Sequence, residues 1–107
     1  MRVQNRLYHI LNILQISLVL PSAFAELNGK CYNNGITGIC LYESKCTQYN
    51  GNTSIGNCPN DKNTIKCCDT IKCSSNDIDG VCTFKDECKG NIVTNKCPGN
   101  NNFVCCI

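Results

Sequence analysis

The residues with the most chemistry to offer are twelve cysteines in a chain of 107, at positions 31, 40, 46, 58, 67, 68, 73, 82, 88, 97, 105 and 106. Thiols bind metals, act as nucleophiles or join as disulfides, and their surroundings decide which. No C-x-x-C knuckle occurs, and the single histidine, His9, lies in an N-terminal leader. Neither a zinc site nor an imidazole-activated nucleophile is therefore spelled out. Cysteine exceeds the level of about 8–10% that marks a disulfide scaffold in a short exported chain.

Carboxylates come next. Asp77 with Asp79, or Asp86 with Glu87, has the residue types of a glycoside-hydrolysing pair. Both pairs fall in one half of the chain, and Gly35 and Thr37 stand at the positions matching Asp77 and Asp79 in the other half. Solvated turns are the better reading, and the expectation is a protein with no catalytic residues. Asp77-Ile78-Asp79-Gly80 has the opening of a calcium loop without its later ligands, so no metal and no cofactor is expected.

Asn52-Thr53-Ser54 is an N-glycosylation sequon in the long stretch between Cys46 and Cys58. Tyr32 and Tyr49 have no aromatic counterpart in the other half, which makes them candidates for contact with a partner. Tyr42 aligns with Phe84 and Ile65 with Phe103, and these four are expected in a small core.

These residues are delivered by a chain with two parts. Residues 1–25 carry Arg2 and Arg6, an apolar run from Ile10 to Leu20 and the small-residue end Ala23-Phe24-Ala25. This predicts a secretory signal peptide cleaved before Glu26. The run is too short for a bilayer core that needs about 20 residues. A freely secreted extracellular product, with no membrane insertion in its mature form, is expected.

Cleavage would remove both arginines and leave eight lysines against eight acids, a net charge of zero. A neutral product lacks the basic patch that nucleic acid demands and the cationic face of a membrane-lytic peptide. Only 18 of the remaining 82 residues are Leu, Ile, Val, Phe or Tyr. Six disulfides would supply the missing stability, at roughly 2–4 kcal/mol each and not additively.

The cysteines repeat, with intervals of 9, 6, 12, 9 and 1 followed by 9, 6, 9, 8 and 1. The first three cysteines of each set align at an offset of 42, as do Asn34 on Asn76 and Gly38 on Gly80; after a shorter third interval, Cys58-Pro59 matches Cys97-Pro98. The predicted organisation is a six-cysteine module over 26–68, a short link at 69–72 and a second module over 73–107. So short a link predicts modules packed nearly back to back. The fold class is small and disulfide-rich: two tandem β-rich modules with three disulfides each. Six cysteines allow 15 pairings, and excluding a bond within Cys67-Cys68 or Cys105-Cys106 leaves 12 open.

The pattern Cys31, Gly35, Gly38, Cys40, Cys46, Cys58-Pro59, Cys67-Cys68, and its second copy with Cys97-Pro98-Gly99, is similar to the secreted six-cysteine module that accompanies lysozyme-like and cell-wall-lytic domains in fungal proteins. More distantly it resembles arthropod clip domains and β-defensins. Asn60 and Asp77 stand where that pattern has glycine. The resemblance to clip domains and β-defensins implies pairing first to fifth, second to fourth and third to sixth. On this chain that means Cys31 with Cys67, Cys40 with Cys58, Cys46 with Cys68, Cys73 with Cys105, Cys82 with Cys97, and Cys88 with Cys106.

Closing strands are predicted at Thr64–Cys68 and Phe103–Ile107, weaker ones at Ile39–Tyr42 and Val81–Phe84, and helical turns at 43–45 and 85–87. Gly35, Gly38 and Gly80 are expected at backbone angles that other residues resist. The function expected is non-enzymatic binding of an extracellular protein or cell-wall glycan, as a virulence effector directed at a host or competitor. A defensin-like antimicrobial or killer peptide and a protease inhibitor presenting Lys45 or Lys62 are the alternatives.

Overall fold

The computed structural model describes residues 27–58 and 63–107; the leader expected over 1–25, and Pro59, Asn60 and Lys62, lie outside the described residues. Each half opens with a hairpin. Strand β1 (Lys30–Asn33) meets β2 (Ile36–Tyr42) through Asn34-Gly35, both at positive φ (52° and 86°). A two-residue turn of this kind matches the twist of its strands. Strand β5 (Lys72–Ser75) meets β6 (Ile78–Phe84) through Asn76-Asp77 at 51° and 65°, so Asp77 holds the left-handed angle that glycine holds in the first copy.

After β2 comes a short helix, α1 (Glu43–Gln48), then β3 (Asn52–Ser54) and β4 (Ile65–Asp69). After β6 come a 3-10 turn (Lys85–Glu87), β7 (Ile92–Val93) and β8 (Phe103–Cys106). The result is two four-stranded antiparallel sheets ordered β1-β2-β4-β3 and β5-β6-β8-β7. Their registers superimpose: Lys30 opposite Ile39 matches Lys72 opposite Val81, and Tyr42 opposite Ile65 matches Phe84 opposite Phe103. The four predicted strands are present as β2, β4, β6 and β8; β1, β3, β5 and β7 were not anticipated. The link shortens to Thr70 and Ile71, because Asp69 ends β4 and Lys72 begins β5.

Six disulfides join Cys31–Cys67, Cys40–Cys58, Cys46–Cys68, Cys73–Cys105, Cys82–Cys97 and Cys88–Cys106, three in each half, with Cα separations of 5.6–6.0 Å. These are the pairs that the resemblance implies. Gly38 and Gly80 serve space instead of angle. A Cβ on Gly38 would stand 2.6 Å from the Cys68 carbonyl oxygen, and one on Gly80 would stand 2.5 Å from that of Cys106.

The period of two along each strand gives each sheet a front and a rear. The front of the first sheet carries Lys30, Tyr32, Thr37, Ile39, Leu41 and Cys68; its rear carries Cys31, Cys40, Tyr42, Ile65 and Cys67. The equivalent front of the second carries Lys72, Ser74, Asp79, Val81, Thr83 and Cys106; its rear carries Cys73, Cys82, Phe84, Phe103 and Cys105. The main core draws Ile39, Leu41, Cys46 and Cys68 from the first half, Ile71 from the link, and Cys82, Phe84 and Phe103 from the second half. The two halves thus pack front to rear, not back to back. Burying side chains such as Ile39 and Phe103 contributes up to about 1.5–3 kcal/mol each, so the halves share one core.

The rear of the first sheet keeps a separate cluster of Cys31, Cys40, Cys58 and Cys67, flanked by Ile65. One consequence corrects the aromatic pairing. Phe84 is buried against Phe103, with ring centroids 5.0 Å apart, whereas Tyr42 at the matching position is exposed. Among the described residues, the cluster on the rear of the first half draws only on that half.

Candidate functional site

Two polar arrangements stand out, one at the junction and one beside the link. At the junction, Lys30 Nζ lies 3.1 Å from a carboxylate oxygen of both Asp86 and Glu87. It also sits 5.1 Å from the centre of the Phe84 ring. Thr37 donates its hydroxyl to Glu87 Oε1 at 2.6 Å, and Tyr32 donates to Glu87 Oε2 at 3.2 Å. The Thr37 hydroxyl first, and the Lys30 ammonium next, hold the Glu87 carboxyl below its ordinary range. Asp86 and then Glu87 raise Lys30, while burial and then the bond to Glu87 raise Tyr32. Asp86 and Glu87, read from sequence as a solvated turn, are therefore the partners of the first sheet. Tyr32, expected as a contact for an outside partner, is half engaged within the molecule.

Beside the link lies a cleft of about 530 Å³ lined by Tyr49, Asn50, Gly51, Asn52, Thr70 and Lys72. Helix α1 ends at Gln48, and Asn50 at a φ of 56° turns the chain so that Gly51 can pass the Cys46–Cys68 bridge into β3. Tyr49 packs its partly buried ring on the shared core. Below the rim, the buried carboxylate of Asp69 accepts from Asn52 Nδ2 at 3.2 Å, Asn33 Nδ2 at 3.3 Å and Thr70 Oγ1 at 2.6 Å. A buried charge with three donors is satisfied and stiffens the backbone that reaches it. Asn52 thus lies at the rim with its amide turned to Asp69, and the sequon's Ser54 Oγ accepts from Asn57 Nδ2 at 2.9 Å.

The role of Asp69 was not anticipated, since the sequence placed it in the link. The repeat gives no signal there either: the residue after the paired cysteines in the second copy is Ile107. Asp77 and Asp79 are exposed on the second hairpin, and Lys45 is exposed on α1. The Sγ atoms of Cys31, Cys58 and Cys67, and those of Cys73, Cys82 and Cys97, lie within 4.8 Å of one another. Each group is brought together by adjoining disulfides, and a disulfide sulfur is not the thiolate a metal needs.

No free cysteine and no helix long and apolar enough to cross a membrane occurs among the described residues, and six disulfides fit an oxidising, extracellular setting. No protein-family model matches the chain, and neither a curated protein nor a solved structure matches it.

Proposed function

We propose that this is a secreted, non-enzymatic binding protein that presents the Tyr49 cleft to an extracellular protein or cell-wall glycan, as an effector acting on a host or competitor surface. The cleft itself carries the reading. It offers one aromatic face, the amides of Asn50 and Asn52, the Thr70 hydroxyl and the Lys72 ammonium, with no acid in its lining. An aromatic beside fixed amides and hydroxyls suits neutral, hydroxyl-rich ligands and polar peptide loops. Disulfides and the shared core support it, because a rigid site loses little entropy on binding. Neutral charge in the cleaved chain weighs against a lytic peptide.

A glycan attached to Asn52 would stand at the rim and close the cleft, so glycosylation and cleft binding exclude one another. In this reading Asn52 is bare, with its amide donating to Asp69.

The test combines intact mass with binding. The oxidised protein, expressed from the full chain and recovered from the medium, is mass-measured and probed against immobilised cell-wall oligosaccharides and host-surface proteins. Retention of one class, lost in Asn50→Asp, which tolerates the same backbone angle, supports the reading. A hexosamine-bearing mass at Asn52, salt-sensitive lysis, or nanomolar inhibition of a protease would overturn it.

A further inference from the structure

Five of the six disulfides are set into the hydrophobic interior. Cys31–Cys67 and Cys40–Cys58 make up the rear cluster of the first half, Cys46–Cys68 lies wholly in the shared core, and Cys82 is buried there with Cys97 packed against it. Cys73 also packs on that core, and its partner Cys105 is fully buried. Cys88–Cys106 differs: both residues are partly exposed, and neither belongs to a core cluster. The contrast falls within the repeat, because the equivalent third-to-sixth bridge of the first half, Cys46–Cys68, is 0% exposed at both ends. Access decides which disulfide a thiolate can attack, and a bridge outside the packed interior opens without emptying a core.

The same bridge holds the turn that fastens the two halves. Cys88 directly follows Asp86 and Glu87, whose carboxylates engage Lys30, Tyr32 and Thr37 of the first sheet. Backbone bonds anchor this stretch within the second half at its ends: Lys85 N donates to Asn102 O at 2.8 Å, and Asn91 and Ile107 exchange bonds of 2.9 Å. Between those anchors, among the described residues, no backbone hydrogen bond ties 86–90 to the strands of the second sheet, and the bridge to Cys106 in β8 is the covalent tie. We propose that Cys88–Cys106 is a redox-sensitive clasp: an extracellular dithiol reduces it ahead of the other five bridges and so frees the Glu87 turn from its hold on the first sheet. One thiolate of the dithiol attacks the sulfur of Cys88 or Cys106, forming a mixed disulfide and releasing the other cysteine as a thiolate that takes up a proton. The second thiol then displaces the remaining cysteine. The dithiol ends as a disulfide, Cys88 and Cys106 end as thiols, and two electrons pass from one to the other. The core and the five remaining bridges keep each sheet folded, so the change is confined to the polar face of the junction.

The test uses the oxidised protein, expressed from the full chain and exposed to limiting dithiothreitol, with aliquots quenched by N-ethylmaleimide and mapped by peptide mass. Cys88 and Cys106 are expected to be alkylated at least about tenfold faster than any other pair, as their access predicts. Another pair reacting first, or all six bridges opening together, overturns the proposal. Amide hydrogen exchange on the protein reduced at this one bridge, before any alkylation, reads the consequence. Exchange is expected to rise severalfold at 30–37 and 85–91 and to stay as in the parent across β4 and β6. An unchanged rate at 30–37, or a rise spread over every strand, overturns it. Glu87→Gln separates the fastening from the bridge: its segment 30–37 exchanges faster from the start, and reduction adds little there. A full further rise in that variant also counts against the clasp. Oxidised glutathione is expected to re-form the bridge and restore the parent pattern, and a loss that persists after Cys88–Cys106 has re-formed overturns the proposal.

Discussion

Thr37 in the first sheet donates its hydroxyl to Glu87 of the second at 2.6 Å, in a chain where the two residues are 50 positions apart. With Lys30 and Tyr32 on the same carboxylate, this is the polar fastening over the shared core. Removing it loosens the halves without touching a disulfide. Glu87→Gln and Thr37→Val each lower resistance to urea, and the double variant loses less than the two losses added. The coupling expected is about 1 kcal/mol, reduced from that of a buried charged hydrogen bond because the side chain is partly open to water. Equilibrium unfolding under non-reducing conditions measures it, and additive losses would mean the contact contributes nothing.

Acid should act on the same carboxylate. The folded state holds Glu87 below its ordinary value of 4.5, through the Thr37 hydroxyl first and then Lys30. A lowered folded value gives stability that is fully present above the ordinary value and is lost as pH falls through the folded one. The difference in thermal midpoint between the parent and Glu87→Gln is thus constant from neutrality down towards the ordinary value of 4.5 and narrows as pH falls below it. Lys30 is raised above 10.5, first by Asp86, so the advantage of the parent over Lys30→Met holds up to that value and fades only at higher pH. Scanning calorimetry across pH on the three proteins checks both limbs; a gap that does not narrow on acidification below 4.5 contradicts the acid assignment.

Glycine 51 meets a harder limit. A Cβ there would collide with Cys68 Sγ and stand 2.9 Å from both Cys46 Sγ and Ile71 Cγ1. Those atoms belong to a disulfide and a buried side chain, which have no room to retreat. Gly51→Ala is expected to cost about 1–3 kcal/mol by overpacking and to slow closure of the Cys46–Cys68 bridge. Gly56 offers a comparison, because its Cβ would meet nothing within 4 Å while its φ is +86°. Gly56→Ala therefore loses about 1–2 kcal/mol through backbone strain without leaving free thiols. Thiol titration during oxidative refolding separates the two; equal thiol content in both variants would refute the collision argument.

The limits of the sequence follow from what a repeat can encode. Cysteine intervals and the match of Tyr42 to Phe84 report equivalence within a module, and the two modules do share one strand register. Local runs such as Thr64–Cys68 gave β4 nearly to the residue, and Gly35 adopts the positive φ expected of it. Of the flanking strands, β3 and β7 were hidden because they have only three and two residues, too few to display a period of two. The abundance of asparagine also has a conformational cause: Asn28, Asn34, Asn50, Asn76 and Asn95 all adopt positive φ, where asparagine is the least costly non-glycine residue. Glu43-Ser44-Lys45 extended into a helix where Lys85-Asp86-Glu87 stayed a single 3-10 turn, because Cys88 is followed only two residues later by Gly90 and Cys46 five later by Gly51. Which face of one module meets which face of the other depends on contacts between distant residues, such as Lys30 with Asp86, that no repeat announces. The cleft beside the link has the same origin, since Tyr49 and Lys72 belong to different halves.

Equivalent positions in the two sheets should respond unequally to the same change. Ile39 lies on the covered front of the first sheet, fully buried, and its Cδ1 is where a Cβ on Gly99 of the second half would arrive. Ile39→Ala empties space shared by both halves, and the surrounding disulfides prevent collapse into it. The expected loss is about 2–4 kcal/mol, at the range found for truncating buried aliphatic side chains. Val81 occupies the same register position in the second sheet but is exposed. Val81→Ala in dilute solution should lie within about 0.5 kcal/mol of the parent. Unfolding in urea under non-reducing conditions compares the pair directly. Equal losses would mean that the halves pack with equivalent faces or not at all, and the front-to-rear arrangement would have to be abandoned.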